Sequence, residues 1–363
     1  MKPFSLLIKP ASADCNLRCK YCFYLDHLSE NPTRMDDETL ERVVASYFST
    51  GQSHYSLIFQ GGEPLLMGLP FYKKLIGLEK NYAPPGALVT NIVQTNGTLI
   101  TEEMAAFLGE YNFLVGVSMD GPPEIHDAYR KSVGGQPSHH LVERGINLLR
   151  KHRVEYNVLV LVNDLVAARP RKVFNYLTER GERFLQFIPC VEFEADGVTP
   201  LSYSVDPLAW GDFLIQIFDL WYPRRYEVSL RLIDSLLSIL MGRPPTLCQM
   251  DQNCCQYFVV EYNGDVYPCD FYVREDLKLG NVAHHSWGDF LSSPVYREFG
   301  TKKQNYSRDC LACPWLNFCY GDCQKNRPGL NNEGKSYLCP GLKRFYEYAI
   351  PKLRPLAHEL KMS

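Results

Sequence analysis

Apolar and polar positions follow two alternating periods along the first half of the chain. Short runs rich in β-branched and aromatic residues precede stretches whose apolar positions recur every three or four residues, as in a strand followed by an amphipathic helix. The predicted strands cover residues 5–8, 55–60, 88–94, 113–118, 156–162 and 184–188. The predicted helices cover residues 36–48, 101–108, 139–152 and 170–180, and one more begins at Pro70.

Six strand–helix units in succession predict a parallel sheet with right-handed crossovers. They occupy residues 5–188, whereas a closed eight-unit barrel usually takes about 250 residues. The predicted fold class is therefore α/β, with an open, partial (βα)6 barrel of the TIM-like type.

The pattern changes in the second half of the chain. Predicted helices at 206–222 and 229–241 are followed by loop-rich sequence that begins near Gly242. Asn263-Gly264 predicts a tight hairpin between strands 257–261 and 265–268, and residues 341–360 predict a closing helix. We predict one domain over residues 1–228 and a second, cysteine-rich domain over residues 229–363.

Composition and charge exclude several classes of protein. A chain of 363 residues with 45% hydrophobic and 22% charged residues can bury a core, which excludes disordered and fibrous proteins. Its formal net charge of −3 gives no field that would attract nucleic acid or an anionic membrane, so we expect neither as a partner. The apolar stretch before Lys9 is too short for a signal peptide, so we expect a cytoplasmic protein.

The chain has 13 cysteines. Because cytoplasmic thiols are kept reduced, metal or cluster ligation explains them better than disulfides do. Three lie near the start and one in the middle, and the last third holds Cys248, Cys254, Cys255, Cys269, Cys310, Cys313, Cys319, Cys323 and Cys339.

Cys15, Cys19 and Cys22 lie in one loop after the first predicted strand, at the edge where α/β sheets place active sites. Three close thiolates suit a 4Fe-4S cluster whose fourth iron stays open for a small molecule. A zinc site completed by His27 is the alternative, although zinc usually takes Cys-x2-Cys pairs.

The later cysteines leave two interpretations open. Cys310-x2-Cys313-x5-Cys319-x3-Cys323 with a distant Cys339 is compatible by itself with a zinc-ribbon variant. Adding Cys248, Cys254 and Cys269 gives eight ligands, enough for two fully cysteine-ligated clusters. Cys190 and Cys255 are then left over, and we interpret both as buried, unreactive cysteines.

The N-terminal triplet, with Tyr21 inside it, resembles the radical S-adenosylmethionine (SAM) superfamily. Gly61-Gly62-Glu63-Pro64, Gln94-Thr95-Asn96-Gly97 and Ser118-Met119-Asp120-Gly121-Pro122 follow the second, third and fourth predicted strands, where the next active-site loops should lie. The whole layout resembles the SPASM-containing branch, and most closely the anaerobic sulfatase-maturating enzymes. The other segments that carry this resemblance are 6–10, 59–64, 94–100, 117–122, 185–188 and 267–272.

The resemblance implies three 4Fe-4S clusters and a SAM site. Cys15, Cys19 and Cys22 would hold the SAM cluster. The SAM contacts would be Tyr21, Gly62, Ser118, Arg130 and Val191. One auxiliary cluster would be bound by Cys248, Cys254, Cys269 and Cys323, and the other by Cys310, Cys313, Cys319 and Cys339.

The resemblance also implies the reaction, which is oxygen-independent oxidation of a cysteine or serine in a sulfatase Cys/Ser-x-Pro-x-Arg segment to Cα-formylglycine. The substrate would be an unfolded or nascent sulfatase, and a flavodoxin or ferredoxin would donate electrons. Asp270 would be the base, although a hairpin-end aspartate often only caps backbone amides. The alternatives are a SPASM enzyme that modifies a ribosomally made precursor peptide and a non-catalytic electron carrier.

Overall fold

The computed structural model describes residues 3–29, 33–329 and 334–362, which form two compact units. The first unit consists of Met1–Ser118, Arg130–Tyr156 and Cys255–Gly300, and the second of Met119–Tyr129, Asn157–Cys254 and Thr301–Ser363. The units are interleaved along the chain, whereas the predicted domain boundary near residue 229 divides it once.

Ten strands lie in the described residues. They are β1 (Ser5–Lys9), β2 (His54–Phe59), β3 (Leu88–Thr95), β4 (Leu114–Ser118), β5 (Tyr156–Val162), β6 (Phe184–Pro189), β7 (Ser229–Leu230), β8 (Tyr257–Glu261), β9 (Asp265–Tyr267) and β10 (Gly280–Asn281).

Fourteen α-helices lie in the same residues. They are α1 (Asp37–Phe48), α2 (Gly68–Tyr82), α3 (Glu102–Glu110), α4 (Pro123–Tyr129), α5 (His139–Lys151), α6 (Asp164–Ala167), α7 (Pro170–Glu179), α8 (Pro207–Trp221), α9 (Arg231–Leu240), α10 (Trp287–Ser292), α11 (Pro294–Lys302), α12 (Arg308–Leu311), α13 (Leu316–Cys319) and α14 (Cys339–Met362).

The strands of the first unit follow the order β10-β9-β8-β1-β2-β3-β4. Strands β1 to β4 run parallel to their neighbours, and β1 also pairs in parallel with β8. Strand β9 is antiparallel to both β8 and β10. Leu6, Leu7 and Ile8 of β1 are all buried, as expected for a strand in a sheet that is covered on both faces.

The predicted hairpin is confirmed by β8 and β9. Gly264 has a φ of +83°, a left-handed conformation that glycine adopts without steric cost. A Cβ at this position would also lie 2.8 Å from Cγ2 of Val282, so the turn fits closely against the following chain. The hairpin thereby places residues 268–270 just beyond its second strand.

The second unit contains β6, β7 and all of β5 except its first residue, Tyr156, and β6 is parallel to both neighbours. Residues 229–230 form β7, so the helix predicted over 229–241 begins only at Arg231. The predicted closing helix is confirmed as α14, which packs on α8. A Cβ at Gly341 would lie 1.9 Å from the carbonyl oxygen of Pro207, which shows how closely the two helices approach.

The sequence patterns did not predict the shortest helices. Helices α12 and α13 have four residues each, too few to show a helical repeat of apolar positions. Among the described helices, none has both the length and the apolar content that crossing a membrane requires.

Candidate active site

The N-terminal cysteine loop, residues 15–22, follows β1 in the first unit. Its backbone is held by a second segment, because Arg18 N donates to Lys131 O at 2.7 Å and Val133 N donates to Asn16 O at 3.2 Å. The three predicted ligands, Cys15, Cys19 and Cys22, are partly exposed. Burial raises the pKa of the Cys15 thiol to about 12, so iron that binds there must displace its proton.

A buried carboxylate, Glu63, organises the loops beside Cys15. It accepts hydrogen bonds from Thr95 Oγ1 at 2.7 Å, Asn96 N at 2.8 Å and Leu65 N at 3.0 Å. Burial nevertheless raises its pKa to about 7. The side-chain amide of Asn96 lies 3.6 Å from Cys15 Sγ, so Glu63 acts on the cysteine loop through the turn after β3.

The glycine pair predicted to approach SAM is also required by packing. A Cβ at Gly62 would lie 2.0 Å from the carbonyl oxygen of Asp14, and Gly62 N donates to Ser12 O at 2.6 Å. The loop after β2 therefore lies directly against the loop after β1, and only glycine permits this approach.

Four of the five predicted SAM contacts, Tyr21, Gly62, Ser118 and Arg130, lie in the first unit. The Arg130 guanidinium lies 5.4 Å from the centre of the Tyr21 ring and 3.9 Å from Cys19 Sγ. Ser118 Oγ accepts a 3.3 Å hydrogen bond from Gln94.

The fifth predicted contact, Val191, lies in the second unit and is buried. Its carbonyl accepts a hydrogen bond from Lys325 Nζ, which also contacts Glu192 Oε1 at 2.5 Å. Val191 therefore belongs to a segment that is held by Lys325, which lies two residues after the predicted cluster ligand Cys323.

Asp270 is buried in a short 3-10 turn directly after the hairpin. Tyr257 Oη donates to its Oδ1 at 2.8 Å, and Gln60 Nε2 donates to its Oδ2 at 3.4 Å. Lys9 Nζ contacts its backbone carbonyl at 3.4 Å. Both of these contacts of the Asp270 carboxylate are with side chains. The residue that precedes the turn is Cys269, and its side chain forms no hydrogen bond that caps the turn.

Next to Asp270 lies a buried lysine, Lys9, that the sequence did not single out. Lys9 Nζ lies 3.4 Å from the centre of the Tyr24 ring, and the Tyr24 hydroxyl donates to Glu261. Burial lowers the pKa of Lys9, while the charges of Asp270 and Glu261 act in the opposite direction. The only signal in the sequence is a lysine at the end of a buried strand.

The C-terminal cysteine pocket lies in the second unit and is lined by all four thiols that the resemblance groups together, namely Cys310, Cys313, Cys319 and Cys339. Burial raises the pKa of Cys319 to about 12. Asp322, also in the lining, accepts hydrogen bonds from Asn326 Nδ2 at 2.9 Å and Ser336 Oγ at 2.7 Å. A pocket lined by four thiols has the donor chemistry of a cysteine-ligated cluster.

Three further thiols, Cys248, Cys254 and Cys323, lie in the second unit. The pKa of Cys323 is raised chiefly by burial, with smaller contributions from Asp322, Cys248 and Cys254. Gln324 Nε2 lies 3.3 Å from Cys254 Sγ. The fourth predicted ligand of this set, Cys269, belongs to the first unit. Over the described residues, no three His, Cys, Asp or Glu side chains are arranged as a site for a single metal ion.

The two leftover cysteines differ. Cys190 is buried, and burial raises its pKa to about 12, as expected for an unreactive thiol. Cys255 is only partly buried, and its Sγ lies 3.2 Å from the carbonyl oxygen of Tyr296.

Comparison with known proteins gives matches over nearly the whole chain. Residues 10–176 match the radical SAM superfamily, and residues 248–314 match the SPASM iron-sulfur cluster-binding domain. A cysteine-type anaerobic sulfatase-maturating enzyme of Clostridium perfringens is 40% identical over 99% of this chain and 100% of its own length. A serine-type enzyme of Bacteroides thetaiotaomicron is 39% identical over 99% of this chain and 92% of its own.

A solved structure matches equally well. Native anSMEcpe with bound AdoMet and Cp18Cys peptide has a TM-score of 0.92 and 40% identity, covering 98% of this chain and 99% of that one. These matches confirm the predicted α/β fold class with its SPASM domain.

Proposed function

This chain belongs to the anaerobic sulfatase-maturating enzymes of the radical SAM superfamily, and from that premise we propose that it oxidises a cysteine or serine of a sulfatase Cys/Ser-x-Pro-x-Arg segment to Cα-formylglycine. The observation that carries the proposal is the held carboxylate of Asp270, next to a predicted cluster cysteine, in a chain 40% identical to such enzymes over its full length. The substrate is a sulfatase polypeptide in an unfolded or nascent state.

The residues fit the cofactors of this reaction. The donor sets are one triplet of thiols in a single loop and four thiols that line one pocket, with Cys248, Cys254, Cys269 and Cys323 as the remaining set. When bound, SAM and three 4Fe-4S clusters supply a radical that removes a hydrogen atom from the target β-carbon and an acceptor for one electron. A flavodoxin or ferredoxin supplies electrons from outside.

The residues of this chain bind and orient. Cys15, Cys19 and Cys22 hold the SAM cluster, and Arg130 pairs with the SAM carboxylate beside Tyr21 and Gly62. Ser118 and Val191 make the remaining SAM contacts. We place the boundary between the radical SAM and SPASM domains near residue 229.

Asp270 takes the proton of the target thiol or hydroxyl. Hydrogen-atom loss from the β-carbon and proton loss to Asp270 leave one electron to be removed, which completes a two-electron oxidation. Serine then gives the aldehyde directly, and cysteine gives a thioaldehyde that water hydrolyses. Tyr257 and Gln60 fix the plane of the Asp270 carboxylate through one bond to each oxygen.

The test is an anaerobic assay of the reconstituted, reduced enzyme with SAM and matched Cys-x-Pro-x-Arg and Ser-x-Pro-x-Arg peptides. Peptide mass and 5′-deoxyadenosine are followed together. We expect aldehyde on at least one peptide, and we expect Asp270→Asn to keep SAM cleavage while aldehyde falls about 100-fold or more.

Asp276→Asn is the matched control, because Asp276 is an exposed aspartate six residues further on that pairs with Arg274. It should retain both products. Deoxyadenosine without any change in either peptide would contradict the sulfatase assignment and favour a precursor peptide as substrate. Full aldehyde formation by Asp270→Asn would remove Asp270 from the mechanism.

A further inference from the structure

The hydroxyl group of Tyr257 contacts both Cys269 and Asp270, the two residues after the hairpin to which the proposed function gives roles. Tyr257 begins β8, and its Oη donates to Asp270 Oδ1 at 2.8 Å. The same oxygen lies 3.4 Å from Cys269 Sγ. Because Sγ and Oδ1 are themselves 3.6 Å apart, the three atoms form a closed triangle.

The chemistry of Cys269 Sγ and Asp270 Oδ1 makes the hydroxyl proton of Tyr257 the one that both atoms can accept. A cysteine that binds iron is a thiolate and has no proton to donate. An ionised carboxylate is likewise only an acceptor. With a cluster bound at Cys269 and Asp270 ready to act as the base, two acceptors therefore lie side by side, and Tyr257 Oη is the donor of the three.

We propose that Tyr257 is a positioning residue that shares its hydroxyl proton between the Asp270 carboxylate and the Cys269 thiolate. The proposal rests on the proposed function, which takes Asp270 as the base and Cys269 as a cluster ligand. Tyr257 then both aims the carboxylate and tunes the cluster, because a hydrogen bond to a ligand sulfur stabilises the more negative, reduced cluster. The two acceptors compete for one proton, so a change at either is felt at the other.

The surroundings of Tyr257 allow the hydroxyl to be removed by itself. Its backbone is fixed by pairing with Ser5 of β1 and by a 3.2 Å hydrogen bond from Tyr296 Oη to its carbonyl. The second oxygen of Asp270 keeps its bond to Gln60. Tyr257→Phe therefore retains the ring and the strand and deletes only the hydroxyl group that carries the shared proton.

The test is a redox titration, followed by electron paramagnetic resonance, of the reconstituted holoenzyme and of Tyr257→Phe, Asp270→Asn and the double variant. We expect Tyr257→Phe to lower the potential of one auxiliary cluster and to reduce aldehyde per deoxyadenosine about tenfold. Asp270→Asn should raise that potential, because a neutral amide competes poorly and the hydroxyl turns to Cys269. The rise should be smaller in the Tyr257→Phe background, and equal rises in both backgrounds would overturn the proposal.

Tyr267→Phe is the matched control, since it removes a hydroxyl from β9, the opposite strand of the same hairpin. A shift as large as that of Tyr257→Phe would overturn the proposal. So would a Cys269→Ala variant that keeps every cluster signal. Aldehyde formation by the wild-type enzyme is read separately, so these results are distinguishable from a failure of the proposed function.

Discussion

The N-terminal cysteine loop and the C-terminal cysteine pocket present thiols on different kinds of framework. The loop follows a strand of a parallel sheet and is hydrogen-bonded to a segment more than 100 residues away. In the pocket, Cys310 lies in the four-residue helix α12, Cys319 in the four-residue helix α13, and Cys313 between these two helices. Cys339 begins α14, which also lines the pocket with Leu342, Lys343 and Tyr346. Two long-range backbone hydrogen bonds preorganise the loop. The thiols of the pocket lie mainly on short local turns, so their arrangement depends more on what the pocket binds.

One buried carboxylate lies beside the N-terminal cysteine loop, and another lines the C-terminal cysteine pocket. The hydrogen bonds of the first are mainly long-range and those of the second are local, as in the two frameworks. Glu63 binds donors from its own loop and from the end of β3. Asp322 lies between two predicted ligands in the sequence and binds Asn326 and Ser336, which are close to it in the chain. The first therefore connects elements of the sheet, and the second fastens one local segment.

The largest expected effects come from removing one cysteine of each region. The two substitutions should differ in whether deoxyadenosine is lost. Cys19→Ala should lower deoxyadenosine formation about 1,000-fold or more, because cleavage of SAM needs the cluster that we propose for the N-terminal loop. Cys313→Ala should leave deoxyadenosine within about threefold of wild type while aldehyde falls about 100-fold. Both products are quantified by liquid chromatography and mass spectrometry in one anaerobic assay.

Cys255→Ala is the control for both substitutions, because Cys255 belongs to none of the three proposed ligand sets. It should retain both products. If Cys313→Ala abolished deoxyadenosine as completely as Cys19→Ala does, the two regions would not have separate tasks.

Removal of iron should distinguish the frameworks directly. Anaerobic chelation should raise amide hydrogen exchange about tenfold or more over residues 308–323, which contain the two short helices and three of the four thiols of the pocket. Strands β1 to β4 should change little, since their backbone bonds do not involve the cysteines. Exchange is measured by mass spectrometry on the loaded and chelated protein, and equal increases in both regions would contradict the comparison.

The sequence predicted the strands and the longer helices well because their signals are periodic and regularly spaced. The six strand–helix units, the Asn263-Gly264 hairpin and the closing helix are confirmed within a few residues. Three cysteines within eight residues also point to one loop without further information. In contrast, helices α12 and α13 are shorter than the window that periodicity needs.

The surroundings of Asp270 were out of reach for a different reason. Lys9, Gln60 and Tyr257 come from three strands or strand ends, and sequence gives no distances between them. The grouping of the eight later cysteines likewise came from family resemblance, since spacing does not separate Cys323 from Cys319. Local pattern therefore predicted elements, whereas the polar contacts of the site required the folded chain.

A smaller effect concerns a buried pair in the sheet-based region. Asn91 Nδ2 donates to Glu79 Oε2 at 3.1 Å, while Glu79 Oε1 and Asn91 Oδ1 are buried and lack a partner among the described residues. Burial raises the pKa of Glu79 from 4.5 to about 7. The folded chain thus keeps this proton after the unfolded chain has lost it, and stability falls as pH rises from 4.5 through 7, by about 3 kcal/mol in total.

Glu79→Gln should remove that fall, and its amide can also donate to Asn91 Oδ1. We expect slower exchange in α2 and β3 than in wild type at pH 7.5, little difference at pH 4.5, and no effect on residues 308–323. Glu63, whose pKa is also about 7, titrates in both proteins, so the difference between them isolates Glu79. A difference that does not grow with pH would contradict the assignment.

The smallest expected difference is between the stability costs of replacing each buried carboxylate, Glu63 or Asp322, by the amide of the same shape. The comparison is made at pH 8, where Glu63 is ionised. Glu63 accepts bonds on both oxygens, so Glu63→Gln turns its amide nitrogen towards Thr95 and Leu65 or towards Asn96 N, at a cost of about 2 kcal/mol. Asp322 accepts both bonds on Oδ2, so Asp322→Asn keeps them with its single carbonyl and should cost about 0.5 kcal/mol or less.

Asn also tolerates the left-handed backbone of Asp322, which has a φ of +62°. Local unfolding free energies from hydrogen exchange of each segment give both values. Equal costs would mean that the charge of each carboxylate stabilises its region more than the geometry of its acceptors does. Unequal costs in the expected order would show that Glu63 connects separate elements through both oxygens, whereas Asp322 fastens one segment through a single atom.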